Sequence, residues 1–457
     1  MVRLLHYSDV ENVYDDPVRA GRLAGLVQAL DGPDALIAGT GDDTAPGVLS
    51  MVERGRQALE FFRAVGADLE TFGNHDFDWG LASTRGVVRD APQTWVSANV
   101  FDGDEPFAAA EGVVPWTVER VDDGRETTTV GFVGVTDPAT DAINPDAADL
   151  TFTDPIDAVE GALAELRARG VDHVVVLSHL GAGDDDLAAA VDVDVILGGH
   201  VHTERCERVA GTLLTRPGVN GRAVWEVHLG DGDPEAVRHD PADADPDPDL
   251  VSALTGRVEA AGLDETVGVA ETPLVRDEAS VFGGESRIGN LVADAYRWDV
   301  GADVALLNSG GIRTGPPLAG EVSLADLISV LPFEEHVVEI ELTGAQLLEA
   351  FRQAAGPAVD FGEPGWWHGH VSGAEIVWDD ERGDLEAARV GGEPIVAGAT
   401  YSVATSEFLL HTDREFPALE PRHRVDEGGI QHDVLAAYAR EHGLDVEVQG
   451  RIRRSSP

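Results

Sequence analysis

Lysine is absent from this 457-residue sequence, so its 32 basic residues are all arginine, set against 84 aspartates and glutamates for a formal net charge of -52. Without a basic surface, binding to a nucleic-acid backbone is disfavoured. So much charge of one sign repels itself, whereas at about 1 M salt the screening length falls to about 3 Å and most of that repulsion is gone. The acid is spread along the chain and does not form one tail, which predicts adaptation to molar salt over the rival reading, an acidic surface for a cationic partner. A single cysteine, Cys206, excludes an intramolecular disulfide and is expected to be a buried, inert thiol. No apolar run approaches the ~20 residues of a membrane span. No secretory or twin-arginine signal precedes the strand-like residues 2–7, so the expected address is the cytoplasm and no membrane partner is expected.

What is present reads as two globular units, because single cores tend to stop growing beyond ~250 to 300 residues. Apolar runs at 2–7, 35–38, 68–72, 94–98, 129–135, 173–177 and 193–197 alternate with helically spaced stretches at 18–30, 55–65 and 156–169. That alternation argues for an α/β domain. Between 238 and 250 proline and aspartate dominate, a composition neither helix interior nor central strand tolerates. The expected organisation is therefore a first domain over 1–240, an acidic linker with a short helix over 241–265, and a second domain over 266–457. Helices are expected there at 288–298, 324–331 and 344–355, with strands at 304–307, 337–342, 375–378 and 400–404. No internal repeat relates the halves.

Five polar clusters follow five of the apolar runs: Asp9 with Glu11, Asp42 with Asp43, Asn74-His75-Asp76, His179, and His200 with His202. Taken singly, Asp9 or Asp42 reads first as a cap after a strand and Gly73-Asn74-His75-Asp76 as a turn. Their joint occurrence, each at the end of a strand where α/β sheets place their sites, points to a metal centre. Carboxylate, amide and imidazole donors without thiolate suit Mn, Fe, Zn, Ni or Mg, and the residues do not choose among them. One bridging carboxylate among this many donors is what a pair of ions ~3.5 to 4 Å apart requires.

These motifs resemble those of the calcineurin-like metallophosphoesterases, and within them the 5'-nucleotidase and UDP-sugar hydrolase family, over nearly the whole chain. The resemblance implies a four-layer first domain, a two-sheet sandwich flanked by helices, and a smaller α/β substrate domain. It implies that Asp9, Asp42 and His202 hold one divalent ion, that Asp42, Asn74, His179 and His200 hold the other, and that Asp42 bridges. Glu11 stands where the family has histidine; it can still ligate, but adds negative charge and is expected to shift the site toward Mn or Mg. The resemblance further implies in-line hydrolysis by a metal-bound hydroxide, with His75 as the catalytic histidine and Asp78 orienting it. The plainer reading makes His75 an imidazole that only supports the ligands. His6 and His173 read as structural.

For the second domain, Asn308-Ser309-Gly310-Gly311-Ile312-Arg313 resembles the family's NGGGIR motif, whose glycines admit a ligand to the backbone and whose arginine fork fits phosphate. Phe333 and Phe408 resemble the pair that sandwiches a nucleobase, with core packing as the alternative. Asp413 stands near, though one residue before, the family's ribose-binding aspartate, and Arg287 is a further candidate phosphate contact. The implied partner is a small nucleotide substrate, foremost a nucleoside monophosphate. Alternatives are a related hydrolase of cyclic phosphodiesters, nucleotide sugars or a sulfur-bound sulfate ester, and a catalytically silent nucleotide-binding protein. Oligomeric state is not legible.

Overall fold

The computed structural model describes all residues of the chain except 123, 125, 360, 361, 363, 364, 413, 456 and 457. It divides into two units, Met1–Ala261 and Gly262–Pro457. Among the described residues no helix is long and apolar enough to cross a membrane.

The first unit is built on two six-stranded sheets. One runs Glu235–His239, Val224–Leu229, Val2–Tyr7, Ala35–Gly39, Leu69–Glu70, Thr94–Trp95, and the other Arg205–Val209, Thr212–Arg216, Val195–Gly198, His173–His179, Thr127–Thr136, Trp116–Asp122. Alternate residues of a strand face opposite sides. Leu4 of the first strand accordingly joins Val175, Leu177, Val195 and Leu213 of the other sheet in one core. Leu5 and Tyr7 point the other way, and Tyr7 meets Phe61 of the helix Ala58–Val65 edge-on at 5.3 Å. On the outer face of the second sheet, the helices Pro155–Arg169 and Asp184–Ala190 pack on Val133, Val176 and Ile196. The result is the four-layer arrangement, helix, sheet, sheet, helix.

Helix starts follow a local rule in this acid-rich chain. Asp16-Pro17, Asp154-Pro155 and Asp247-Pro248 each place an aspartate at the N-cap, accepting backbone N–H groups, and a proline in the first turn. A capped first turn with proline costs no hydrogen bond, since that N–H would be unpaired in any case. The same rule corrects the expected linker. The strand Glu235–His239 and the helix Pro248–Ala260 run into the proline-rich stretch, and the segment between them lies against the helix Pro17–Leu30. A Cβ on Gly25 would stand 2.0 Å from the Asp245 carbonyl oxygen, and Asp247 N–H donates to the Gly21 carbonyl at 2.8 Å. The acidic segment is an integral part of the first unit. Cys206 is a second correction: it lies on the edge strand Arg205–Val209, and its side chain is exposed.

In the second unit a five-stranded sheet, ordered His370–Ser372, Val304–Leu307, Thr400–Ser406, His336–Thr343, Arg424–Ile430, has a core on each face. Ala305 and Leu307 pack with the helices Arg287–Val300 and Gln431–His442, while Val304 and Leu306 face Leu347 and Phe351 of the helix Gly344–Gln353. A four-stranded sheet and the antiparallel pair of Thr266–Arg276 with Gly315–Ser323 complete the unit.

Candidate active site

In the first unit the strands Val2–Tyr7, Ala35–Gly39 and Leu69–Glu70 run parallel to one another, as do His173–His179 and Val195–Gly198 in the other sheet, so their C-terminal ends collect on one rim of each sheet. The five sequence clusters begin there. Asp9, Glu11, Asp42 and His200 are four of the nine non-glycine residues with positive φ among the described residues, at +49°, +47°, +55° and +73°. Left-handed backbone costs of order 1 to 3 kcal/mol at such residues and concentrates at functional sites. These loops turn sharply enough to aim their side chains back over the strand ends.

Two groups of donors result, Asp42 with His179 and His200, and Asp9 with Glu11 and His202, each with ligand atoms within 4.8 Å of one another. His179 Nε2 lies 3.0 Å from Asp42 Oδ2, and its Nδ1 lies 2.6 Å from the Thr40 carbonyl oxygen. A carbonyl can only accept, so Nδ1 carries a hydrogen and Nε2 is the nitrogen that could ligate a cation. Glu11 Oε1 is 3.0 Å from His202 Nε2, and Asp9 accepts the backbone N–H of His200 at 3.1 Å. Asn74 Oδ1 is buried without a hydrogen-bond partner, as an amide oxygen kept for a cation would be.

The electrostatics agree with a cation site. Burial pushes the Asp9 carboxyl up to about 7, with Asp42 adding to the rise and His179 opposing it. Asp42 is held at about 2, because His179 and His75 outweigh the burial that favours its neutral form. Burial works against a charge on His179, yet Asp42 overrides it and raises the imidazole to about 10. Carboxylates this deeply buried suit divalent ions, which would neutralise them. The donor set fits two such ions, with Asp42, Asn74, His179 and His200 on one side and Asp9, Glu11 and His202 on the other. Glu11→His should move the preferred metal away from Mn and Mg; a parallel metal titration of both proteins that gives one order of preference would refute this.

His75 stands beside the first group. Its backbone N–H donates to Asp42 Oδ1 at 2.7 Å, and its Nδ1 lies 2.9 Å from Asp78 Oδ2. Burial lowers its basicity, but Asp42 and then Asp78 outweigh that and raise it to about 10. Asp78 is itself fixed by Asn144, whose Nδ2 donates to Asp78 Oδ1 at 2.9 Å and to the Asn74 carbonyl at 2.7 Å. Asp76 accepts the backbone N–H groups of Asp42 and Gly73, at 3.0 and 2.7 Å, and so joins the two loops. Asp137 lies 3.5 Å from His200 Nε2. Asn144 and Asp137 come from loops with no motif of their own, and only the fold brings them to the site. His6 is structural as expected, spanning the two sheets between Thr215 Oγ1 at 3.0 Å and Thr40 Oγ1 at 2.9 Å.

In the second unit Asn308 is buried and donates to Glu415 Oε2 at 2.8 Å, an oxygen that His368 Nε2 also approaches to 2.6 Å. Gly310 and Gly311 follow in the turn after the strand Val304–Leu307. The guanidinium of Arg313 lies over the Phe333 ring at 4.8 Å. Phe408 is 40% exposed. Its backbone N–H reaches Glu335, whose carboxyl is pushed up to about 6 by burial and then by Glu407. The Phe333 and Phe408 segments are thus neighbours. Arg287 is a correction: its donors go to the carbonyls of Val446, Thr272 and Pro273, which makes it a brace for the backbone. Asp413 lies outside the described residues.

Residues 2–204 match the calcineurin-like phosphoesterase family, and residues 266–421 match the 5'-nucleotidase, C-terminal domain. The chain is similar to an apyrase of Tabanus yao, 28% identical over 450 residues that cover 86% of this chain and 80% of the apyrase. It is 27% identical over 391 residues to the endonuclease YhcR of Bacillus subtilis, which covers 77% of this chain but only 31% of YhcR, so the chain spans about a third of that relative. Its fold is similar to the crystal structure of a 5'-nucleotidase precursor from Thermus thermophilus, with a TM-score of 0.73, 26% identity and full coverage of both chains.

Proposed function

We propose that this chain is a metal-dependent phosphoric ester hydrolase acting on the phosphate ester of nucleotides, nucleoside monophosphates foremost, a reading supported by the match of residues 2–204 to the calcineurin-like phosphoesterase family and of residues 266–421 to the 5'-nucleotidase, C-terminal domain. The observation that carries the reading is the pair of donor groups, Asp42-His179-His200 and Asp9-Glu11-His202, beside a histidine held by a carboxylate. When bound there, two divalent ions would neutralise the phosphate and make a water acidic enough to attack at neutral pH.

The protein's own groups do the rest. Asp78 accepts from His75 Nδ1 and so directs Nε2 outward; Asn144 keeps Asp78 from turning. A His75 proton at Nε2 is then placed to be donated to a phosphoryl or leaving oxygen. Arg313 and the exposed face of Phe408 are offered as the nucleotide-binding groups of the second unit, since stacking tolerates any base and a guanidinium fork fits phosphate. A panel of AMP, a nucleotide sugar and a cyclic nucleotide, assayed with Mn, tests the substrate class. AMP should be turned over fastest; turnover of the cyclic ester alone would overturn the reading.

The charge of -52 further supports adaptation to molar salt. The melting temperature should rise as KCl goes from about 0.1 to about 2 M, because the screening length shrinks below the spacing of surface charges. An unchanged melting temperature over that range would count against it.

A further inference from the structure

We propose that a cavity of the first unit, distinct from the two donor groups, binds a small, multiply charged phosphate compound. The cavity measures about 600 Å³, within the range of small-molecule sites. Four of its eleven lining residues are arginines, Arg19, Arg22, Arg222 and Arg238, in a chain where only 32 of 457 residues are basic. Bringing like charges together costs free energy unless an anion joins them.

Three carboxylates, Asp16, Glu204 and Asp240, share the lining and leave it one arginine charge in excess. Asp16 caps the helix Pro17–Leu30 by accepting the backbone N–H of Arg19 at 3.1 Å. Glu204 and Asp240 are both taken by Arg238, with the Arg238 Nη2 to Glu204 Oε1 distance 3.0 Å and the Arg238 Nη1 to Asp240 Oδ2 distance 3.3 Å. Arg22 gives one nitrogen to the Ala242 carbonyl and keeps the others. The guanidinium groups of Arg19 and Arg222 pair with no carboxylate among the described residues, although the chain carries 84 acidic residues.

Two guanidinium forks without a carboxylate partner and part of a third, all in the lining of one cavity, match the several oxygens of a phosphate compound in a way that a single chloride would not use. No aromatic residue lines the cavity, and its apolar contribution is Val18, Pro241 and Ala242. A lining this rich in guanidinium donors and this poor in apolar surface suits an oligophosphate or a phosphorylated sugar, and that is the ligand class. The walls adjoin the donor groups along the chain: Glu204 is two residues beyond His202, and Arg222 is two beyond Asn220, whose N–H donates to the Asp9 carbonyl at 2.8 Å.

The test is calorimetric titration of the full chain, stripped of metal so that the donor groups do not compete, with pyrophosphate and separately with a hexose phosphate. Saturable one-to-one binding of either is expected, and the stronger of the two identifies the source. Arg19→Gln and Arg222→Gln should each weaken it by about tenfold or more, the loss expected for a charge-assisted hydrogen-bond pair. His200→Ala, which touches only the donor groups, should bind as the wild type does. Absence of saturable binding to both probes, or equal affinity in the doubly substituted Arg19→Gln/Arg222→Gln protein, would overturn the proposal.

Discussion

His75→Ala is expected to lower kcat on AMP by about 10²- to 10⁴-fold, the usual contribution of a positioned general acid or base, while leaving metal content unchanged. The separation follows from the geometry. His75 contributes its backbone N–H to Asp42, which alanine retains, and only its imidazole to Asp78, which alanine removes. Metal analysis alongside steady-state kinetics reads both quantities. Wild-type kcat in the metal-loaded variant would take His75 out of the chemistry, and a parallel loss of metal would make it a support for the ligands instead. Asp78→Asn tests the same pair from the other side: the ring loses its charged partner but keeps a hydrogen-bonding neighbour, and a smaller fall is expected.

Gly73→Ala should be nearly as damaging, although residue 73 carries no side chain to lose. A Cβ there would stand 2.1 Å from Asp42 Oδ1 and 2.5 Å from the Asp42 backbone nitrogen, and across the gap a Cβ on Gly41 would stand 2.3 Å from Gly73 N. The two loops meet backbone to backbone, so the methyl group can be housed only by moving Asp42. A displacement near 1 Å at a reacting centre can cost about 10²-fold in rate. Gly161→Ala is the matched control. It lies in the helix Pro155–Arg169 with nothing within 4 Å of its would-be Cβ, and should raise stability by up to about 1 kcal/mol without touching activity. Full activity in Gly73→Ala would mean that the Asp42 loop has slack the structure does not show.

The parts of the fold that sequence discloses are those under a single strong constraint. The strand Val304–Leu307 is apolar throughout because both its faces are buried, and it starts and stops where an apolar run predicts. The helix Gly344–Gln353 announces itself by Thr343 and Gln346, which form a capping box. The edge strand Arg205–Val209 shows no such pattern, since Cys206, Glu207 and Arg208 all face solvent, and the expectation of a buried Cys206 fails for that reason. The stretch before Pro248 misleads differently: aspartate and proline usually break structure, but here they start a helix.

At the site, donors immediately following strands are legible because the loops are short and the motif residues adjacent. Asn144 and Asp137 support those donors through a hydrogen bond and a close contact formed only after folding, and their residue types recur throughout the chain. In the second unit the same holds for Glu415 and His368 around Asn308. Arg287 shows the converse, an arginine well placed in sequence whose donors the backbone carbonyls have taken.

Phosphate release from AMP by the purified chain in about 2 M KCl, a regime in which so large a charge is screened, decides the matter when followed with added Mn, without it, and with a chelator. Release that requires the divalent ion and stops on chelation is the result the two donor groups predict. Release that continues undiminished in protein shown to be free of metal would contradict them.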